Sequence, residues 1–178
     1  SAMLMLGMAL LLWKRLPVLA PSPAAVSGLR YRDLIASMFT LLQEEKLLQV
    51  RGLLALLMFA AFNIFWSALV LPLSAAPFHF SRTAIGAFGL VGVIGTLMAA
   101  RAGQWADRGY AQRTSGVALL LLLLAWGPLS LLHSSLCALM LGIVLLDLGG
   151  QALHVTNQSM ILRSRPEASS RLIGLYML

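Results

Sequence analysis

Four side chains able to do acid–base or polar chemistry recur inside one long apolar run. They are Asp147, Gln151, His154 and Gln158, spaced by 4, 3 and 4 residues. At 100° per residue these spacings confine them to a stripe of about 60° on one face of a helix. A carboxylate and an imidazole on such a stripe can hold a cationic group or pass a proton, and the two amides can orient a ligand by hydrogen bonds. Asp147 lies near the middle of the run 136–162, where an ionisable group is costly and therefore points to function. Asn157 falls just off the stripe. A second set, Asn63 and Trp66 with Ser67, occupies neighbouring turns inside the apolar run 52–74. The bland alternative for both sets is interhelical hydrogen bonding with no ligand at all.

Several other chemistries are disfavoured. No nucleophile stands at close spacing to a base. The three histidines (His79, His133 and His154) lack metal-ligand spacing, and the single cysteine, Cys137, can form neither an intrachain disulfide nor a thiolate cluster. No cofactor motif is present. Gly86, Gly89, Gly92 and Gly95 recur every three residues, but they follow no strand and so read as a close helix contact rather than a phosphate loop. The formal net charge of +7 raises the question of nucleic acid. Its cations sit between apolar runs instead of on one polar face, so a topological bias explains them and no nucleic-acid partner is expected.

The elements that must position these residues follow from composition. The 178 residues are 60% hydrophobic and only 11% charged, under half the charge of an ordinary soluble domain. Such a chain cannot cover a globule with polar surface, and its solvent is a lipid bilayer. The fold class expected is all-α, a polytopic transmembrane helix bundle. Four complete spans are predicted, over 52–74, 83–102, 114–132 and 136–162, with partial spans at both ends. Residues 1–15 read as the tail of a transmembrane helix. Its cations, Lys14 and Arg15, follow the apolar run, the wrong order for a cleaved signal peptide. Residues 16–50 read as a cytoplasmic linker, irregular around Pro17, Pro21 and Pro23 and then an amphipathic helix from Arg30 to Val50. Residues 51–178 form the bundle and stop within the next helix, which opens at Leu172. The second span should pack tightly through its glycines, and the third, unbroken leucine from Leu119 to Leu124, should lie at the lipid periphery.

Orientation follows from charge. The segments 14–51, 101–113 and 163–171 contain every Lys and Arg except Arg82. Alternate loops are basic, which makes those three cytoplasmic and the protein a multi-pass component of the cell (inner) membrane.

One of those loops has a pattern of its own, running from Gly103 through Asp107, Arg108 and Gly109 to Arg113. Set between two spans, it resembles the signature loop of the major facilitator superfamily, which joins the second and third helices of each six-helix half. Gly103, Asp107, Arg108 and Arg113 match its glycine, acid and bases. Arg113 stands one position late, and Tyr110-Ala111-Gln112 replaces part of the usual second glycine and basic pair. The resemblance implies a C-terminal half, with the long basic connector as the central loop and an N-terminal six-helix half as its partner. It implies a secondary active transporter of small molecules by alternating access, expected to be proton-coupled. The segment 165–171 resembles a loop of bacterial efflux-type members. The loop residues would hold a cytoplasmic gate, with Asp107 favouring a helix N-terminus, and the seventh and tenth helices would place Asn63, Trp66, Asp147, Gln151 and His154 around a central cavity. A membrane-embedded enzyme and a non-transporting scaffold are the alternative functions.

Overall fold

The computed structural model describes residues 2–15, 31–75 and 78–177. The proline-rich stretch 16–30 and Pro77 lie outside the described residues. The protein is an all-α membrane helix bundle. It divides into a compact unit ending at Ala36 and a second from Ser37 to Leu178. The first unit contains α1 (Ala2–Arg15) and the opening of α2 (Tyr31–Glu44).

In the second unit α2 ends at Glu44, and Glu45 takes an extended conformation before α3 (Lys46–Ser74) begins. The first span therefore starts within the stretch read as amphipathic connector, so that Lys46 to Arg51 are its first turns. At 1.5 Å per residue α3 is about 43 Å long, more than a hydrocarbon core requires. Pro72 lies inside its last turns rather than ending it. The helix closes at Ala75, whose N–H donates to the Leu71 carbonyl.

The second expected span is not one continuous helix. Ser81 caps α4 (Arg82–Ala87) by accepting from the Ala84 N–H. A 3₁₀ turn (Phe88–Leu90) follows, and α5 (Val93–Trp105) starts afresh. Glycine is the weakest helix former after proline, and four glycines in ten residues account for the interruption. The charged loop continues from α5 as a wide turn, Ala106–Tyr110, in which Gly109 has φ 88. That left-handed conformation is open to glycine at little cost, and it redirects the chain into α6 (Ala111–Ser130). After a turn at 131–134, Ser135 caps α7 (Leu136–Ser164). A short 3₁₀ turn (Pro166–Ala168) leads into α8 (Ser169–Met177).

Among the described residues three stretches are long and apolar enough to cross a membrane: Lys46–Ser74, Leu97–Ser130 and Leu136–Ser164. The middle one passes through the Gly109 turn, so its spanning part is α6. Of the three, α7 is the most buried. It packs most extensively against α6 and α5 and also touches α3 and α8. Small residues let those backbones approach. A Cβ at Gly149 would stand 2.9 Å from the Ala118 carbonyl oxygen on α6, and one at Gly150 would stand 2.6 Å from the Phe62 ring on α3. The close contact expected of the glycines in the second span is carried by two of the four. Gly92 and Gly95 press on α7, whereas a methyl at Gly86 or Gly89 would meet nothing within 4 Å. The third span buries one face, with Thr114, Ser115, Ala118, Ala125 and Leu129, and exposes Leu119, Leu120, Leu123 and Leu124.

Candidate functional site

The stripe on α7 forms, but it divides. Gln151, His154 and Gln158 turn toward α3 and α8, while Asp147 is covered by the broken helix. Asp147 is only 9% exposed, and its Oδ2 has no hydrogen-bond partner among the described residues. A Cβ at Gly95 would lie 2.8 Å from the Asp147 Cβ and 3.1 Å from its carbonyl oxygen, and one at Gly92 would overlap the carboxylate itself. Glycine at both positions is what lets the α4–α5 break close over this acid. An unpartnered buried carboxylate is expensive. It is relieved by taking up a proton or a cation.

His154 occupies the centre of a polar cluster. Its Nδ1 is 3.1 Å from the Tyr176 hydroxyl and its Nε2 is 3.1 Å from the Gln158 amide nitrogen. With Gln158 donating, Nε2 is the acceptor and Nδ1 carries the ring proton toward Tyr176. The ring meets Phe59 edge-on at 5.4 Å and stacks on Tyr176 at 5.7 Å. A cavity of about 290 Å³ opens beside it, lined by Met58, Phe59, Phe62, Gly150, Gln151 and His154. Its walls are thioether and aromatic, with one amide and one imidazole to fix a ligand's orientation. Asp147 does not line it. Asn63 is exposed and donates to the Phe59 carbonyl of its own helix at 2.8 Å. Trp66 packs edge-on against Phe65 at 5.3 Å beside the apolar core. Neither of these two lines the cavity.

The residues the stripe did not announce lie closer to the basic loops. Arg51, 4% exposed, donates to Ser115 Oγ (2.6 Å), Asn157 Oδ1 (3.1 Å) and Gln112 Oε1 (2.7 Å). The Asn157 side chain is fully buried. It also donates back to the Arg51 carbonyl oxygen at 3.4 Å. The polar side chains thus form two hydrogen-bonded groups, Gln158–His154–Tyr176 and Arg51 with Gln112, Ser115 and Asn157. An amide inside a 29-residue apolar helix was the available signal for Asn157. Arg51 carried none, because a cation before an apolar run looks like a topology marker.

The charged loop makes a different contact from the one expected. Asp107 Oδ1 accepts from Arg163 at 2.7 Å, with both side chains more than half exposed. Its partner is a cation in the last turn of α7, not a helix N-terminus. Arg113 lies over the Tyr110 ring at 5.7 Å. Gly103 faces Val155 on α7, with room for a methyl at ordinary contact distance. Arg165 pairs with Glu45, and Arg171 donates to Ser37 Oγ at 3.0 Å. Residues of 163–171 thus reach both of the other basic segments.

Among the described residues no group of three His, Cys, Asp or Glu stands together as metal ligands would. Over 177 residues, 99% of its length, the chain is 42% identical to "Putative uncharacterized transporter YgaY" of Escherichia coli (strain K12). It is equally similar to "Uncharacterized transporter YgaY" of Escherichia coli O157:H7. The chain spans 44% of the length of each of these relatives. No protein-family model matches it, and no solved structure matches it.

Proposed function

We propose that this chain is the C-terminal half of a secondary active transporter of the major facilitator superfamily. It moves small molecules across the inner membrane by alternating access, coupled to protons and directed outward. The observation that carries the reading is Asp147 in the middle of a spanning helix, a buried carboxylate whose Oδ2 has no hydrogen-bond partner among the described residues. A structural scaffold has no use for such a group, whereas a proton- or cation-coupled carrier requires one. Support also comes from relatives named as transporters, of which this chain spans 44%. The three basic segments are linked to one another by Asp107–Arg163, Glu45–Arg165 and Ser37–Arg171. These contacts favour placing them together on the cytoplasmic side, and they would break or form as a gate moves. The cavity beside His154 supplies the ligand-binding part, with Gln151 and His154 orienting and Phe59, Phe62 and Met58 enclosing.

The test uses the full-length transporter containing this segment, in inverted vesicles with an imposed pH gradient. A panel of small molecules is added and gradient collapse recorded. Native protein should give a collapse with at least one compound, and Asp147→Asn, inserted and folded to the same level, should give none. An unchanged response in Asp147→Asn would refute the assignment of Asp147 as the coupling group.

A further inference from the structure

The cytoplasmic end of the α5–α6 hairpin carries a groove of about 280 Å³, lined by Trp105, Arg108, Tyr110, Arg113, Thr114 and Val117. Neither arginine is paired with an acid among the described residues, because the one acid of this loop, Asp107, is engaged by Arg163. Both guanidinium groups belong to exposed residues, and Arg113 is steadied over the Tyr110 ring. The groove also adjoins the start of α6, whose first turn has no acidic residue and whose N-cap makes no side-chain bond. The positive end of the helix and two cations therefore lie together at a groove with no acid among its lining residues. Below them the wall is apolar. Val117, Leu120 and Leu124 follow one another at helical spacing, each more than half exposed. From Arg113 to Leu124 the stripe descends about 16 Å along α6, deep into one leaflet.

We propose that this groove seats an anionic phospholipid. Arg108 and Arg113 bind the head-group phosphate, Trp105 and Tyr110 flank it at the interface, and an acyl chain lies along Val117, Leu120 and Leu124. Guanidinium is matched to phosphate by its planar fork of donors. Indole and phenol rings favour this depth. A soluble phosphate would use the head of the groove and leave the stripe unexplained, so a lipid is the occupant that accounts for both. The inference depends on the membrane location alone and stands or falls separately from the transport reading.

The experiment reconstitutes the 178-residue chain into dioleoylphosphatidylcholine vesicles containing a graded fraction of brominated phosphatidylglycerol or brominated phosphatidylcholine. The part of the tryptophan quenching that disappears in Trp105→Phe reports the groove. Half-maximal quenching of Trp105 should need about thirtyfold less brominated phosphatidylglycerol than brominated phosphatidylcholine, the preference two basic side chains confer near an anionic surface. Arg108→Gln with Arg113→Gln should erase the preference, while Arg101→Gln, an exposed cation outside the groove, should retain it. Equal quenching by the two lipids in the native chain overturns the proposal and needs no variant. So does a loss in Arg101→Gln as large as in the double variant, which would make the attraction general. Displacement by excess glycerol 3-phosphate would assign the seat to a soluble phosphate and overturn it as well.

Discussion

Arg51 offers a quantitative test of the buried network, because among the described residues its charge is held by neutral oxygens. Replacing it by Met keeps much of the side-chain volume and removes the guanidinium. Gln112 is exposed, so water replaces its lost bond. Ser115 keeps the Ala111 carbonyl as acceptor for its own hydroxyl. The loss falls mainly on Asn157, whose fully buried Oδ1 loses its donor from α3. Interhelical hydrogen bonds in membrane proteins average about 0.6 and reach about 1.7 kcal/mol. The two buried bonds, to Ser115 and Asn157, thus contribute about 1–3 kcal/mol by that measure. Relief of the guanidinium's desolvation offsets part of it, and Arg51→Met should destabilise by about 1–2 kcal/mol. Asn157→Leu should cost more, about 3 kcal/mol, because it strips partners from a cation that stays buried. In the double variant the stranded charge is gone, so the two effects should not add. The assay is unfolding by dodecyl sulfate in mixed micelles, followed by tryptophan fluorescence, on a complete double-mutant cycle. A coupling energy of about 1 kcal/mol or more is expected between contacting partners in a polar network. Additivity within about 0.3 kcal/mol would refute the claim that Arg51 and Asn157 act as a unit.

Two further outcomes follow from packing and topology. Gly95→Ala would put a methyl 3.0 Å from the Asp147 backbone carbon, which cannot rotate away, and should cost about 1–3 kcal/mol. Gly86→Ala enters open space and should be neutral or stabilising by up to about 1 kcal/mol, a contrast the same unfolding assay reads directly. Cys137 is exposed near the start of α7, so a membrane-impermeant maleimide should label it on intact spheroplasts. Gln104→Cys in a Cys137→Ser background should label only after permeabilisation, and the reverse pattern would invert the proposed orientation.

The sequence made the helices legible because long uncharged runs admit few structures in lipid, and their boundaries followed the charges to within a turn or two at most ends. It misjudged continuity where glycine was concerned. The spacing of Gly86, Gly89, Gly92 and Gly95 looks like a packing motif, yet the same glycines weaken the helix, and the chain breaks at Phe88–Leu90. The polar stripe was legible as a periodicity, and its members do share a side of α7. What periodicity cannot convey is which neighbour covers each residue. Asp147 is met by Gly92 and Gly95, and His154 by Phe59 and Tyr176. Arg51 was hidden for a related reason, since the partners that make its burial tolerable lie 61, 64 and 106 residues away. Asn63 shows the converse. A polar amide in a span can satisfy itself on its own backbone and need not face a pathway.

The distribution of small and polar residues around α7 bears on how such a bundle can move. Gly142 is pressed by Leu129 and Gly149 by Leu122, both on α6, and Gly150 by Phe62 on α3. Asp147 in turn is pressed by the α4–α5 break. A helix clamped on so many sides at sub-methyl clearances cannot shift without opening voids or overlaps, each of which costs free energy. Room is left beside Phe59, where the cavity next to Gln151 and His154 lies. The other compliant element is the break itself, where 3₁₀ geometry holds the backbone by weaker bonds than an α-helix. A change at Asp147, such as gain of a proton, would therefore be felt first by the α4–α5 segment that rests on it. A change at His154 would be felt by α3 and α8 through Phe59 and Tyr176. In the transport reading these are two separate mechanical outputs from one rigid helix, and they give coupling ion and substrate different elements to displace.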